Sequence, residues 1–378
     1  MSTTVSATDP TALRARLDRA REAAGTAGVD AMLMAPGSDL RYLIGGSGSS
    51  FERLTCLVLR TGAPPVLVVP KLEAPGYAAV PTDELGVEIA TWVDDEDPYG
   101  LVTSLVGDAG RVAVGDVMPA LHVLGLRRAL PAADQVLAGP IVRELRMRKD
   151  ATEVEALRRA GAAIDRVHAR MADFVRAGRT EAQAGADIAA AIIEEGHTVA
   201  EFVIVGSGPN GASPHHGVSD RVFEAGDVVV VDIGGPIAEG YCSDSTRTYV
   251  LGEPRDADVV GTYAVLQAAQ QAAVDAVRPG VAAQDVDVAA RTIIADAGLG
   301  EYFIHRTGHG IGLDVHEDPY IVAGNTLPLE PGMAFSVEPG IYQQGRWGAR
   351  IEDIVVVTAD GVDPLNRRPH ELTVLPVS

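Results

Sequence analysis

The pattern of apolar and polar positions divides the first part of the chain into short alternating elements. Residues 11–27 favour a helix, because Leu13, Leu17 and Ala20 recur on one face at helical spacing. Apolar runs of strand length follow, separated by turns and helical segments. These runs are Ala31–Ala35, Cys56–Leu59, Val66–Val69, Val87–Ala90 and Val112–Val114. The alternation predicts an α/β N-terminal domain over residues 1–142.

A second domain is expected over residues 150–378, where Asp150 and Glu153 form a capping-box pattern that predicts the start of a long helix. This domain carries a weak internal repeat. Val175–Gly178 and Val277–Gly280 share a Val-Arg-Xaa-Gly pattern, and each separates two predicted helices, at an offset of 102 residues.

A second pair of strings supports the repeat. Residues 224–234 align without gaps on residues 330–340, at an offset of 106, so that Asp232 corresponds to Glu338. Two halves related by a pseudo-twofold axis would bring these carboxylates to opposite sides of one centre. The match is short, and chance similarity is the alternative.

Composition narrows the functional classes. The net charge of −21 argues against nucleic acid and anionic membranes as partners. No apolar run reaches the roughly 18 residues that span a bilayer. The first ten residues lack the features of a signal peptide. Cys56 and Cys242 lie far apart and need no disulfide, so we expect a cytoplasmic protein.

Four carboxylates and one imidazole occur within or beside apolar strand-like runs in the C-terminal part of the chain. An isolated buried carboxylate costs several kcal/mol unless something compensates it, although any single one could simply emerge into solvent at a strand end. Taken together, the set matches the ligands of two adjacent divalent cations and predicts a dinuclear metallohydrolase. The five residues are Asp232, Asp244, His309, Glu338 and Glu352.

The glycines at positions 308 and 310 flank the histidine of this set. Glycine lets the backbone approach a crowded centre, and neutral imidazole is a common metal ligand. A histidine between glycines is otherwise a turn residue, so the assignment of His309 depends on the other four positions.

These motifs resemble the metallopeptidase family that includes methionine aminopeptidase, prolidase and aminopeptidase P. The strings are Val-Val-Val-Val-Asp-Ile-Gly-Gly, Cys-Ser-Asp-Ser-Thr-Arg-Thr, Thr-Gly-His-Gly, Ser-Val-Glu-Pro-Gly-Ile-Tyr and Arg-Ile-Glu-Asp, within residues 150–375. The resemblance implies an α+β pita-bread (creatinase/aminopeptidase) catalytic domain with a pseudo-twofold repeat. The preceding α/β domain is similar to that of the proline-specific branch.

The resemblance also implies roles for the ligands. Asp232 and Asp244 would bind one metal ion, His309 and Glu338 the other, and Asp244 and Glu352 would bridge. Mn²⁺ or Co²⁺ is expected first, and Zn²⁺ also fits the oxygen-rich set. The metals would activate a water, and Glu338 would carry its proton to the leaving amine.

Further residues match family positions. His215 and His316 would stabilise the tetrahedral intermediate, although His216 is an alternative to its neighbour. His305 and Arg350 would contact substrate, or else have structural roles, such as pairing of Arg350 with nearby carboxylates.

The implied substrates are short peptides with proline after the first residue, cleaved by an Xaa-Pro aminopeptidase or dipeptidase, and the family implies a homodimer. Many prolidases hold the substrate carboxylate with an arginine between the positions of His316 and Glu338. Residues 317–337 contain no Lys or Arg, and Tyr320 occupies the approximate place. Peptide length is therefore left open, with Arg306, Arg346 or a residue from an N-terminal domain as substitutes.

Two other classes share the predicted fold. A metal-free creatinase-like amidinohydrolase and a non-catalytic peptide-binding pseudo-peptidase would both be expected to lose several of the five ligands. The intact set favours the metallopeptidase.

Overall fold

The chain divides after Arg146 into two units, each with its own hydrophobic core. The computed structural model describes residues 9–46, 48 and 52–377. Residues 1–8, part of the segment compared above with a signal peptide, lie outside the described residues. Within the described ranges, no helix combines the length and hydropathy needed to cross a bilayer.

One mixed six-stranded sheet forms the centre of the N-terminal unit. Its strands are β1 (Ala31–Met34), β2 (Cys56–Arg60), β3 (Val66–Pro70), β4 (Glu88–Trp92), β5 (Arg111–Val114) and β6 (Asp134–Leu137). Its helices are α1 (Pro10–Thr26), α2 (Ser38–Ile44), α3 (Thr82–Leu85), α4 (Pro98–Val106), α5 (Ala120–Ala129) and α6 (Gly139–Arg146). The strand order is β4-β3-β2-β1-β5-β6. Strands β1 to β3 are buried on both faces, which explains their continuous apolar sequences.

The helix and the five strands expected in this unit are confirmed, with small shifts at their ends. Strand β6 was not predicted, because polar Asp134 and Gln135 begin it at an edge of the sheet. Gly139 and Pro140 start α6, where proline fits the first helical turn, so the unit continues past residue 142.

The C-terminal unit contains five helices and eleven strands among its described residues. The helices are α7 (Ala151–His168), α8 (Met171–Phe174), α9 (Glu181–Glu194), α10 (Val259–Ala276) and α11 (Ala283–Asp296). The strands are β7 (Phe202–Ser207), β8 (Val228–Pro236), β9 (Cys242–Leu251), β10 (Gly308–Gly310), β11 (Glu317–Ile321), β12 (Ala334–Val337), β13 (Gly340–Gln343), β14 (Trp347–Arg350), β15 (Asp353–Val357), β16 (Val362–Pro364) and β17 (Thr373–Leu375).

These strands form two larger sheets and one hairpin. The first sheet has the order β17-β9-β8-β7, the second β11-β10-β12-β15-β16, and β13 pairs with β14. Apolar residues of α7 and α9 pack with β7, β8 and β9, whereas α10 and α11 pack with β12 and β15. Each sheet therefore has its own pair of long helices.

The internal repeat predicted from the sequence is visible in the elements. Helices α7 and α10 each have 18 residues, and α9 and α11 each have 14. The capping box at the start of α7 is confirmed, since Asp150 and Glu153 each accept a hydrogen bond from the backbone N–H of the other at 2.9 Å. Each half contributes a helix pair followed by strands that carry carboxylates.

His168, the last residue of α7, is buried against β9. One ring nitrogen contacts the Ser245 carbonyl oxygen at 3.1 Å, and the other contacts the Tyr249 hydroxyl at 2.9 Å. Burial, and next the nearby Arg247 guanidinium, lowers the pKa of His168 from 6.5 to about 3. The folded protein thus keeps this imidazole neutral, whereas the unfolded chain binds a proton below pH 6.5.

Since the unfolded state alone gains this proton, His168 makes folding less favourable as pH falls from 6.5 towards 3. As pH falls from 7.5 to 5.5, we expect protonation of His168 in the unfolded chain to lower the free energy of unfolding by about 1.4 kcal/mol. His168→Gln, which retains a side-chain N–H donor, should remove this cost, so that the Tm difference between wild type and variant narrows at acidic pH. Thermal melts of metal-free protein at pH 7.5, 6.5 and 5.5 measure it, and a pH-independent difference would contradict the assignment.

Candidate metal centre

Two carboxylates lie on one face of the β8–β9 strand pair. Val229, Val231 and Ile233 of β8 pack into the core with the helices, so the alternate residue Asp232 points the other way. Asp232 pairs with Thr246 of β9, and Asp244 lies two residues before Thr246 on that strand. Asp232 and Asp244 are therefore diagonal neighbours on the same face.

The second sheet brings the other three candidate ligands to the same place. His309 lies in β10, Glu338 follows β12 and Glu352 precedes β15. Because β12 and β15 are antiparallel neighbours with Val337 opposite Asp353, Glu338 and Glu352 emerge at one end of the pair. All five residues predicted from the sequence as metal ligands line one pocket.

An isolated β-bridge between Thr246 and Glu352 joins the two sheets at this point. The Thr246 hydroxyl donates a hydrogen bond to Glu352 Oε2 at 2.6 Å. Thr246 also pairs with Asp232 on its other side, so it lies between carboxylates of the two halves. The pseudo-twofold halves therefore meet at the site itself.

Glycines flank His309 because the backbone is crowded there. A Cβ atom at Gly308 would lie 1.8 Å from the Ser336 carbonyl oxygen, and one at Gly310 would lie 2.2 Å from that of Asp318. Both distances are too short for any side chain. The inference that these glycines permit close backbone approach is confirmed.

The ring of His309 is oriented for coordination. Its Nδ1 lies 3.1 Å from the Gly310 carbonyl oxygen, which fixes the proton on Nδ1 and leaves the Nε2 lone pair free. Nε2 is 3.2 Å from Glu338 Oε1 and 3.5 Å from Asp244 Oδ2. The imidazole therefore presents its free nitrogen to the carboxylates.

Candidate ligand atoms fall into overlapping sets, and the atoms within each set lie within 4.8 Å of one another. The first set is Asp232, Asp244 and Glu352; the second is His309, Glu338 and Glu352; the third is Asp244, His309 and His316. Asp244, His309 and Glu352 each belong to two sets, and of these three only the two carboxylates have a second oxygen with which to reach a second ion. This sharing suits two neighbouring ions with common carboxylate ligands.

The electrostatics of the site also fit bound cations. Burial is the main reason that the pKa values of Asp244 and Glu352 are raised well above their ordinary range, and the neighbouring carboxylates add to it. Asp232 Oδ1 is buried and accepts no hydrogen bond from any described residue. Buried carboxylates without compensating charge are unfavourable, so divalent metal ions match both the geometry and the charge of these residues.

Arg350 supplies positive charge next to the carboxylates. Its guanidinium donates hydrogen bonds to Asp232 Oδ2 at 2.5 Å and to the Tyr342 hydroxyl at 2.6 Å. The Tyr342 hydroxyl lies 2.9 Å from His305 Nε2. Arg350 was predicted to contact substrate, and the structure shows its guanidinium engaged by protein groups at the edge of the pocket.

The pocket has a volume of about 950 Å³, and part of its wall is apolar. His215, His305 and His316 line it, whereas His216 does not and is bound to Glu181 elsewhere. The His316 ring lies against the His309 ring with centroids 3.9 Å apart. The apolar lining residues are Phe202, Ile204, Ile304 and Val315.

Sequence reasoning missed several residues of this site. Thr246 lies two positions after Asp244, and the period of a strand would have placed it on the same face. Tyr342 ends the Glu-Pro-Gly-Ile-Tyr motif but was given no role. Phe202 and Ile204 had no signal in the sequence, because their place opposite Gly234 and Asp232 depends on the register of β7 against β8.

The fold and the site together define a metallopeptidase with the pita-bread fold and a creatinase-type N-terminal domain. The chain belongs to Metallopeptidase family M24, whose sequence pattern matches residues 155–359. The pattern of the Creatinase/Prolidase N-terminal domain matches residues 16–148. The family recognised from these sequence motifs and the expected fold are thus confirmed, and the family implies divalent metal ions.

Similar proteins carry consistent names. The chain is 59% identical to the probable dipeptidase PepE of Mycobacterium tuberculosis, with 96% of each chain covered. It is 36% identical to an Xaa-Pro dipeptidase of Lactobacillus delbrueckii, over 93% of this chain and 96% of the relative. The crystal structure of dipeptidase PepE from Mycobacterium ulcerans has 59% identity and a TM-score of 0.93, covering 98% of this chain and all of that one.

Asp244→Asn should have opposite effects with and without metal. Without metal, it removes a carboxyl group whose ionisation is opposed by burial and by the neighbouring carboxylates, and should raise Tm by a few degrees. Co²⁺ at about 1,000 times its Kd should stabilise the wild type by about 4 kcal/mol and the variant far less. Thermal melts with and without Co²⁺ test this, with the exposed Asp296→Asn as matched control. A wild-type response of Asp244→Asn to Co²⁺ would remove Asp244 from the ligand set.

Proposed function

We propose that this chain hydrolyses the peptide bond between an N-terminal residue and a following proline, with dipeptides as the main substrates. The observation that carries the proposal is the convergence of Asp232, Asp244, His309, Glu338 and Glu352 on one partly apolar pocket. The names of the similar proteins, dipeptidase and Xaa-Pro dipeptidase, support the same activity.

Two divalent ions held by these five residues would supply an activated water and polarise the scissile carbonyl. Glu338 is suited to carry the proton from the attacking water to the proline nitrogen. Its side chain is 14% exposed, compared with 5% for Asp244, so it reaches further into the pocket. The Ser336 hydroxyl donates to Glu338 Oε1 at 3.0 Å and holds that carboxylate in place.

Two histidines face the substrate side of the pocket and can donate hydrogen bonds to the developing oxyanion. His215 and His316 are both exposed at the pocket wall. In this proposal they stabilise the tetrahedral intermediate. His305, bound to the Tyr342 hydroxyl, would shape the wall that receives the substrate.

The preference for a dipeptide is assigned to Arg306. Its guanidinium lies 4.5 Å from the centre of the ring of Tyr320. Tyr320 is the residue at the approximate place of the arginine that binds the substrate carboxylate in many prolidases. Arg306 lines the pocket, and no described residue forms an ion pair or hydrogen bond with its guanidinium. Arg346, the other candidate in this unit, is paired with Asp256 and Asp258. Arg306 is therefore free to bind the terminal carboxylate of a substrate.

We also propose a native metal, an oligomeric state and a cellular location. Mn²⁺ or Co²⁺ is the proposed native metal, because the ligands are oxygen-rich with one imidazole, and Zn²⁺ suits the same set. A homodimer is proposed from the family resemblance. A cytoplasmic location is proposed because Cys56 and Cys242 are both buried free thiols.

The metal-free amidinohydrolase and the peptide-binding pseudo-peptidase receive no support from the site. Neither activity requires three buried carboxylates, a partly exposed fourth and an imidazole arranged around shared ligand positions. Such a cluster is costly to keep without cations.

Turnover of proline peptides tests the proposed activity. Metal-stripped protein should be inactive on Gly-Pro, Ala-Pro and Ala-Pro-Ala, and Mn²⁺ or Co²⁺ should restore cleavage, with the dipeptides faster than the tripeptide. Release of free amino acids is measured by chromatography, and bound metal by elemental analysis. Absence of cleavage with metal demonstrably bound would exclude the proline-specific function.

Arg306→Ala tests the carboxylate assignment. Loss of a charge-assisted hydrogen bond should raise KM for Ala-Pro by about 10- to 100-fold. KM for the amide Ala-Pro-NH₂, which has no carboxylate, should change little. Steady-state kinetics on both substrates measure the effect, and exposed Arg278→Ala serves as the control. Equal changes for acid and amide would show that Arg306 has another role.

A further inference from the structure

One of the buried carboxylates outside the metal centre lies at the first position of α9. Glu181 is fully buried, and its Oε1 accepts hydrogen bonds from the Ser207 backbone N–H at 2.7 Å and hydroxyl at 2.6 Å. Its Oε2 accepts from the Ser219 hydroxyl at 2.6 Å and from His216 Nε2 at 2.9 Å. The Asn210 side-chain amide contacts both oxygens at 3.1 and 3.2 Å.

These donors all belong to one segment, residues 207–219, which connects β7 towards β8. Burial alone would raise the pKa of Glu181, but the hydrogen bonds from Ser207, Ser219 and His216 lower it, so the carboxylate stays charged. The start of a helix also favours an anion. The Glu181 carboxylate therefore accepts hydrogen bonds from residues at the beginning, in the middle and at the end of the segment.

His215 lies in this segment between two anchored neighbours. On one side, the Pro214 carbonyl oxygen accepts from Arg350 Nη2 at 3.4 Å. On the other side, His216 is held by Glu181. With both neighbours fixed, the exposed His215 side chain is presented to the pocket without any hydrogen-bond partner of its own among the described residues.

Close backbone packing fixes the same segment against the site. A Cβ atom at Gly348 in β14 would lie 1.9 Å from the Gly211 carbonyl oxygen, so the two backbones are in direct contact. Gly208 has a φ of +49°, which favours glycine at the turn. The segment is thus held on one side by the hairpin that carries Arg350 and on the other by Glu181.

We propose that Glu181 is a positioning residue that acts through His216 and the 207–219 segment to hold His215 at the reacting carbonyl. This inference rests on the proposed function, because it assumes that His215 contacts the tetrahedral intermediate. Misplacement of a catalytic group by about 1 Å can reduce rate by about 100-fold, so a rigid anchor directly behind a solvent-exposed histidine affects turnover more than substrate binding.

The test combines kinetics with hydrogen exchange, on full-length protein loaded with Mn²⁺. Glu181→Gln should lower kcat for Ala-Pro by about 10- to 100-fold, with KM within about threefold of wild type and metal content unchanged. It should also increase amide exchange in peptides covering residues 208–217. Glu194→Gln, an exposed position on the same helix, is the matched control and should change neither.

A double-mutant cycle separates positioning from a general structural effect. In the His215→Ala background, Glu181→Gln should lower kcat by less than about twofold, because the residue that it positions is absent. An undiminished loss in that background would overturn the inference. If Glu181→Gln does not fold, His216→Ala removes one bond to the buried carboxylate and should show the same pattern with a smaller amplitude.

The exchange measurement distinguishes failure of this inference from failure of the proposed function. Unchanged exchange in residues 208–217 of the variant would overturn positioning by Glu181, whatever the activity. If wild-type protein with bound metal cleaves no proline peptide, the proposed function fails. In that case, positioning by Glu181 is tested by comparing Glu181→Gln with wild type in two measurements: amide exchange in residues 208–217 and the reactivity of His215 towards diethylpyrocarbonate. Unchanged exchange and reactivity overturn the inference, and faster exchange with altered reactivity supports it.

Discussion

The crowding of buried carboxylates around one point is the constraint on which the catalytic unit depends. Asp232, Asp244, Glu338 and Glu352 converge there, with Arg350 as the arginine that contacts one of them directly. Such an arrangement opposes folding unless cations or hydrogen bonds offset the repulsion. The surrounding architecture places every ligand on a strand or directly beside one, so that the backbone ladders, rather than mobile loops, resist this repulsion.

Supporting contacts extend outward from the ligands. Arg247 donates to Asp353, the residue after Glu352, at 2.6 Å, and also to the Glu352 carbonyl oxygen at 2.7 Å. The Thr248 hydroxyl accepts from the Arg350 backbone N–H and donates to its carbonyl oxygen. Strand β9 thus has two functions. Asp244 and Thr246 contribute to the site, whereas Arg247 and Thr248 form hydrogen bonds with residues next to the ligands. This dual use explains why all ten residues of that strand are buried.

Much of the chemistry could be predicted from the sequence because ligands of this kind lie in short contiguous motifs. Asp232 after four valines and His309 between glycines are visible without any tertiary information. What could not be predicted depends on long-range geometry. The pairing of Thr246 with Glu352 joins segments about a hundred residues apart. In the sequence, nothing distinguishes Glu181 from other acidic residues at the start of a helix. Polar edge strand β6 was missed for a local reason, since it lacks an apolar run.

The shared ligands make the two halves of the catalytic unit unequal and dependent on each other. Asp244 comes from the first half of the repeat and Glu352 from the second, and each belongs to two overlapping sets of candidate ligands. The second half alone supplies the set of His309, Glu338 and Glu352, whereas the first half supplies only Asp232 and Asp244 and needs Glu352 to complete its set. A centre for two ions therefore exists only where the two halves meet. Because Glu352 belongs to both sets, a change at this one residue would disturb the two ion positions together.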